Sequence, residues 1–474
     1  MYKSKLFELL KSLDEQEVMS FQQYLLSPFF NNSQKCIELY QYFLKVYPNW
    51  KHESLQKEQV FKKIFPNKDI NKSSSLRELS SKTLRLLEDF LIVQELQVAN
   101  DQRDWFLLQA LEKRKKVKRF QQKHQQIQRD LLQKKQQDID YALQDYRLEE
   151  QLFNFEIANN QNNKTKDTLW QVIKKFEHYA LLKKLELYSS LLNRQVLKGK
   201  KYDLEELEYL LDWIEKNHLD KQHPIIALYY LTILMLKTKE ERYFFRLKQL
   251  IYDYGQVLDK KELKTLLTIA INYSTLAINQ NQEHFKLERF ELYFYQLKQQ
   301  LLHSGKYIHF MHLKNICTIA IQAQKIEVAQ NIVEEYKHEV APEYVEDVYY
   351  FNKGMLEFYT GNYQDSIYFL HQVGYINVFY QLDCRMLLLR AYYELEESNA
   401  LLDLAQAFKR MLQREKKLSK RHKEAYHNFI LVLVKLYRIK ALFSTKSLEK
   451  LKEEILQKKL INQAWLLEKL DELE

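Results

Sequence analysis

The sequence predicts an all-α fold, and three observations carry that expectation. Only 6 Gly and 5 Pro occur in 474 residues, whereas strands joined by tight turns need residues that accept positive φ or pre-set a turn. Neither residue occurs between Pro66 and Gly199, a stretch that long helices explain. Apolar side chains recur at spacings of three and four, the period of an amphipathic helix. With 46% hydrophobic and 29% charged residues, the chain can bury a core and is not globally disordered. Its 474 residues exceed one ordinary core, unless helix pairs stack so that each touches only its neighbours.

Residues 1–100 read as an N-terminal helical bundle. Asp14 and Glu17 have capping-box spacing, Val18, Phe21 and Leu25 form the stripe of the helix they open, and Ser27-Pro28-Phe29 closes it. A second helix from Ser33 turns Ile37, Tyr40, Phe43 and Tyr47 inward and stops at Pro48. A short helix over 57–65 ends at Pro66, and a longer one carries Leu76, Leu79, Leu86 and Phe90 on one side.

Residues 101–160 read as long polar, basic helices. Leu132, Ile139, Leu143, Tyr146, Phe153 and Ile157 recur as a heptad-like seam. That seam fits one rod of ~80 Å or a hairpin bent near Gln121–Gln126. Asn159–Lys166 is the plainest loop. From 165 to 474, amphipathic helices alternate with short breaks, expected near 168–198, 203–217, 224–237, 240–254, 260–280, 284–304, 307–322 and 326–338. Gly199, Gly255 and Gly305 stand at three helix ends, where a left-handed residue is wanted. Leu448, Leu451, Ile455, Trp465, Leu466 and Leu470 supply the apolar side of closing helices.

Within this third segment, Tyr350, Gly354, Gly361-Asn362-Tyr363, Ser366-Ile367 and Leu370 follow the pattern of a tetratricopeptide repeat, which the stretch resembles. Lys353 and Glu357 depart from the pattern. Flanking units carry Leu313, Ile316, Cys317 and Ala320, and Leu388, Leu389, Ala391 and Tyr392; the small-residue slot then falls at Cys317, Gly354 and Leu389, steps of 37 and 35 residues. The resemblance implies a right-handed α-solenoid with capping helices, binding a partner on a concave face lined by the first helix of each pair. Carried across, it nominates Lys314, then Phe351, Met355, Phe358 and Tyr359, then Met386, Arg390, Tyr393 and Glu394. An aromatic and Met surface suits peptide recognition. The same side chains would equally serve to pack neighbouring pairs.

The net charge of +10 is concentrated. Lys113, Arg114, Lys115, Lys116, Lys118, Arg119, Lys123, Arg129, Lys134 and Lys135 face only Asp130 in their stretch, and a second basic cluster runs from Lys409 to Lys423. Such runs meet phosphates or an acidic protein, or are simply solvated. Phe120 is the only Phe, Tyr or Trp in the first run, so stacking on single strands is not indicated. The helices at 57–65 and 75–91, joined by Pro66-Asn67-Lys68-Asp69, resemble the helix-turn-helix of bacterial regulators, which implies that Arg77, Lys82 and Arg85 face DNA. Opposing that, Glu78, Glu88 and Asp89 share the helix, and residues 1–100 hold 14 basic and 12 acidic side chains.

Cys36, Cys317 and Cys384 are odd in number and far apart, which argues against a disulfide framework or thiolate cluster and for a reducing compartment. His309 and His312, one turn apart, and His218, Asp220 and His223 lack the further ligands a metal site needs. No Gly-rich phosphate loop, G-x-S-x-G or H-E-x-x-H is present. The first residues have no apolar signal region, and the most apolar run, Pro224–Leu236, is 13 residues, short of the ~20 a membrane span needs. The expectation is a non-enzymatic cytoplasmic scaffold or adaptor with a protein or peptide partner, and no metal, cofactor or membrane. The alternative is a nucleic-acid-associated regulator; the oligomeric state is left open.

Overall fold

The computed structural model describes residues 4–48, 50, 55–66, 74–159, 162–199, 202–374, 376–442 and 445–473, without the side chains of 162–166, 441, 442, 445 and 446. Among the described residues the fold is helical, with a single two-stranded hairpin. The chain forms two compact units, Met1–Leu181 and Leu182–Glu474, where the sequence reading drew three segments.

The N-terminal unit opens with α1 (Lys5–Leu10), α2 (Glu15–Leu26), α3 (Gln34–Leu44), α4 (Lys57–Ile64) and α5 (Ser74–Val98). Asp14 caps α2 reciprocally: its carboxylate accepts from the Glu17 N–H at 2.8 Å, and its own N–H donates to Glu17 at 2.9 Å. Phe7, Phe21, Tyr40, Phe43, Phe61 and Phe90 fill the core, and the Tyr40 hydroxyl ties α3 to the Val18 carbonyl at 2.8 Å. Of the Pro66–Asp69 linker, Asn67, Lys68 and Asp69 lie outside the described residues.

Three helices follow: α6 (Asn100–Lys113), α7 (Val117–Leu132) and α8 (Ile139–Ala158), each packed on the other two. The stretch is therefore neither one rod nor a hairpin bent at Gln121–Gln126. Lys115 breaks the chain direction with a φ of 52°, although neither Gly nor Pro marks the spot. The turn between α7 and α8 also breaks the seam: Leu132 and Ile157 are exposed, while Phe120, Leu131, Leu148 and Phe155 are interior. Phe120 and Phe155 stack at 3.8 Å between centroids. Helix α9 (Asn162–Lys198) begins inside the run read as a loop, and the boundary between the units falls within it.

The C-terminal unit holds α10 (Glu205–Lys216), α11 (Leu219–Gln222), α12 (Pro224–Thr238), α13 (Glu241–Tyr254), α14 (Lys260–Asn279), α15 (Phe285–Lys298), α16 (Phe310–Gln322) and α17 (Ile326–Tyr336). After these come α18 (Val345–Tyr359), α19 (Tyr363–His371), α20 (Val378–Glu394), α21 (Ser398–Arg414), α22 (Lys420–Leu442), α23 (Thr445–Gln457) and α24 (Gln463–Asp471). Pro224 sits at the first position of α12, where its fixed φ suits a helix start. The apolar residues that follow run round the whole helix, which is buried accordingly. The expected helix over 284–304 stops at Lys298, and β1 (His303–Ser304) pairs antiparallel with β2 (Tyr307–Ile308). No helix among the described residues is long and apolar enough to cross a membrane.

Successive helices pack as pairs, α12 with α13, α14 with α15, α16 with α17, α18 with α19 and α20 with α21. First helices also meet across pairs, α12 on α14, α16 on α18 and α18 on α20. In the pair α18/α19, a Cβ at Gly354 would lie 2.7 Å from Leu370 Cγ, so only glycine allows this approach. The Ser366 hydroxyl then donates to the Gly354 carbonyl at 2.7 Å. Gly255, expected to be left-handed, is right-handed; its lack of a side chain instead makes room for Leu263 and the Tyr295 hydroxyl, which a Cβ would meet at 3.1 and 3.2 Å.

Candidate functional site

Helix α20 starts where the Asn377 side chain accepts the Tyr380 N–H at 3.0 Å. Its sequence is apolar on two sides, and the structure covers both. Tyr380, Cys384, Leu387, Leu388 and Ala391 join the core that α16–α19 share, whereas Leu382, Met386, Leu389 and Tyr393 join the core of α21–α24. The face that the repeat pattern nominates is thereby enclosed. Phe351, Met355 and Phe358 belong to the first core, and Met386 and Tyr393 to the second. Lys314 is buried as well; it pairs with Asp383 and lies 5.4 Å from the Tyr380 ring and 5.9 Å from that of Phe351. As contacts on an open groove, these six residues are corrected to interior positions, because the next helices along the chain cover them. Tyr359, with 40% of its surface exposed, is the nominated side chain that faces solvent.

Arg390 and Glu394 stand one turn apart on α20, and α24 covers both. The Arg390 guanidinium lies 4.3 Å from the Phe358 ring centroid, 4.8 Å from that of Trp465 and 5.5 Å from that of Tyr359. Glu394 receives Lys469 of α24 at 3.0 Å, and Lys469 also reaches Glu472 at 2.7 Å. Burial pulls the Lys469 ammonium down, yet its bonds to these two carboxylates hold it above the ordinary lysine value. Tyr393 packs edge-on to Trp465 at 5.5 Å; burial, with Glu394 beside it, pushes its hydroxyl up to about 12. Of α24, the sequence showed Trp465, Leu466 and Leu470 as an apolar side. Lys469, four residues after Trp465 and so on the same face, was the overlooked signal.

The basic residues are arranged differently. Lys113, Arg114, Lys115, Lys116, Lys118 and Arg119 are exposed around the turn from α6 to α7. Lys123 is half-buried and pairs with Asp104 at 2.8 Å. Helix α7 has no acidic residue in its first turn and no side-chain cap, so Lys116, Lys118 and Arg119 oppose the positive end of its dipole. At the far end of these helices, beside the turn from α7 to α8, a cavity of about 700 Å³ opens between α6, α7 and α8, floored by Leu108 and Leu131 and rimmed by Asp101, Asp130, Lys134 and Arg147. On the inner face of α7, burial holds the His124 imidazole below its ordinary value, with Nε2 3.2 Å from the Leu148 carbonyl.

Arg77, Lys82 and Arg85 are exposed on α5, and so are Glu78, Glu88 and Asp89, which leaves that surface mixed in sign. The described residues contain no group of three or more His, Cys, Asp or Glu placed to hold a metal. Cys36, Cys317 and Cys384 are buried free thiols, and burial pushes Cys317 well above the ordinary thiol value. Compared with known proteins, the chain matches no family model and no curated protein.

Proposed function

We propose that the protein is a non-enzymatic interaction scaffold whose helix pairs stack in the manner of tetratricopeptide repeats and bind a helical segment of a protein partner. The observation that carries this reading is α24 itself: the face of α18 and α20 already holds a helix, through an aromatic side chain on Arg390 and a cation on Glu394. The close approach at Gly354 and the left-handed turn at Gly361, with φ 85°, support the repeat assignment. Tyr359 gives a partner a rigid aromatic edge on the solvent side. The test is capture of the tagged full chain from nuclease-treated native cytosol, in parallel with Tyr359→Ala. A discrete protein retained by the native chain and lost from a Tyr359→Ala chain of unchanged Tm is expected. Capture indifferent to Tyr359 would remove this face from the reading.

A second reading rests on the α6–α7 turn. None of Lys113, Arg114, Lys115, Lys116, Lys118 and Arg119 has an acidic partner within 4.0 Å among the described residues. That arrangement suits the phosphates of a nucleic acid, whose binding weakens steeply with added salt because the release of counterions then gains less entropy. Affinity for a DNA or RNA duplex measured across salt concentrations checks it, and a flat profile removes it.

A further inference from the structure

Arg390 is 4% exposed, and its charge has no carboxylate within ion-pair distance among the described residues. A guanidinium has five N–H donors. Here the Nη1 group makes one long hydrogen bond, to the Tyr359 hydroxyl at 3.4 Å, and Nε is buried without an acceptor. The flanking rings of Phe358 and Trp465 attract the charge but accept its protons poorly. Buried charges are ordinarily both paired and hydrogen-bonded. Glu394, at the i+4 spacing where Arg and Glu pair along a helix, is instead engaged by Lys469.

Helix α20 thus offers Arg390-x-x-x-Glu394, and α24 answers it with Trp465-x-x-x-Lys469. One half of the offer meets its opposite charge and the other half meets an indole. The helix that answers is short: α24 spans nine residues, and its N-cap, Asn462, is left-handed (φ 52°) and makes no side-chain cap bond. Its buried footprint is Trp465, Leu466, Lys469 and Leu470.

We infer that the surface beneath α24 is a docking site for a separate amphipathic helix that carries a carboxylate four residues before a cation, and that α24 is a resident stand-in which such a helix displaces. The inference rests on the reading of this face as a helix-binding surface and adds the chemistry of the occupant. The incoming helix places Asp or Glu where Trp465 lies and Lys or Arg where Lys469 lies. It also repeats the apolar positions of Leu466 and Leu470, so the core that α24 leaves is covered again. Arg390 and Glu394 then both meet their opposites.

The test uses the full chain and three labelled peptides: the sequence of residues 460–474, the same with Trp465→Glu, and the same with Trp465→Gln. Fluorescence anisotropy is read against the native chain and against a Trp465→Ala chain whose resident helix is loosened. The Glu peptide is expected to bind about tenfold more tightly than the Gln peptide, the scale of one hydrogen bond to a charged group. That preference should vanish on an Arg390→Met chain. Equal binding of the Glu and Gln peptides overturns the carboxylate requirement and leaves the helix-binding reading standing. Absence of binding by all three, on both chains, overturns both. A second measurement stays within one molecule: Trp465→Glu in the full chain should melt about 2 °C or more above Trp465→Gln, and the gap should close when Arg390→Met is added. Equal melting temperatures count against the inference whatever the peptides do.

Discussion

The turn between α6 and α7 and the face beneath α24 both present cations, six at the one and Arg390 alone at the other, and they teach opposite lessons about charge. At the turn, Lys113, Arg114, Lys115, Lys116, Lys118 and Arg119 stand in water, where each charge keeps most of its hydration and mobile ions screen the repulsion. On α20, a single guanidinium is sealed among Phe358, Tyr359 and Trp465. Desolvating one ion without a counter-ion costs several kcal/mol, more than six solvated charges cost by crowding one another. A count of basic residues points to the turn. The energetics point to Arg390, because the surrounding packing must supply what its electrostatics lose.

The largest effect that would sharpen this contrast comes from Lys469. With about a tenth of each side chain exposed, Lys469 and Glu394 form a buried pair, and removing one partner strands the other charge. Lys469→Met should therefore destabilise the C-terminal unit by about 3 kcal/mol in urea unfolding. Arg390→Met, which strands no carboxylate, should cost clearly less. Equal losses from the two variants would mean that Arg390 has a counter-charge after all, and the contrast between the regions would collapse.

Much of the helical framework was legible because it is set by local chemistry. Asp14 with Glu17, and Pro224 before its apolar run, mark helix starts by hydrogen bonding and by a fixed φ, both contained in a few consecutive residues. The meeting of Gly354 with Leu370 was legible for a similar reason, since a hairpin of two short helices leaves little freedom. What failed depends on partners distant in sequence or on turns without a breaker. The turn at Lys115 uses a left-handed lysine where neither Gly nor Pro announces it, so the polar stretch read either as one rod or as a hairpin bent further on, near Gln121–Gln126. A heptad-like spacing says that one side of a helix is apolar, yet it says nothing of whether the chain reverses before the seam can form; Leu132 lies just before such a reversal. On α20, periodicity gave apolar residues on more than one side, and only packing showed that both sides are covered. The nominated residues Phe351, Met355 and Phe358 were thus recognisable as apolar positions, while the choice between lining a groove and packing neighbouring pairs stayed open until the packing was seen.

A smaller effect tests the solvated side of the comparison. Because Lys116, Lys118 and Arg119 surround the uncapped start of α7, replacing all three by Gln should leave stability unchanged within about 0.5 kcal/mol or raise it slightly. The same variant should lose whatever salt-sensitive affinity for duplex nucleic acid the native chain shows. A loss of more than about 1 kcal/mol in urea unfolding would show that these cations hold the fold together, against the treatment of them as free charge.

The smallest expected effect concerns His124, which sits on the buried face of the same helix and behaves oppositely to the cations at its exposed start. Burial disfavours its imidazolium, so its folded value lies below the unfolded value of about 6.5. Between those two values the unfolded chain binds more protons than the folded one, and stability must rise with pH there. The contribution is thus complete above about pH 6.5 and is lost as pH falls through the folded value. Urea unfolding of the native chain and of His124→Gln, compared from neutral pH downward, should show the native chain losing its advantage below about pH 6.5. Across the same window the Gln substitutions at Lys116, Lys118 and Arg119 should not change the slope, because lysine and arginine stay charged throughout. A slope that follows the exposed cations rather than His124 would mean that α7 senses its surface charge more than its interior. The distinction between solvated and buried charge would then fail in the unit where it was simplest to see.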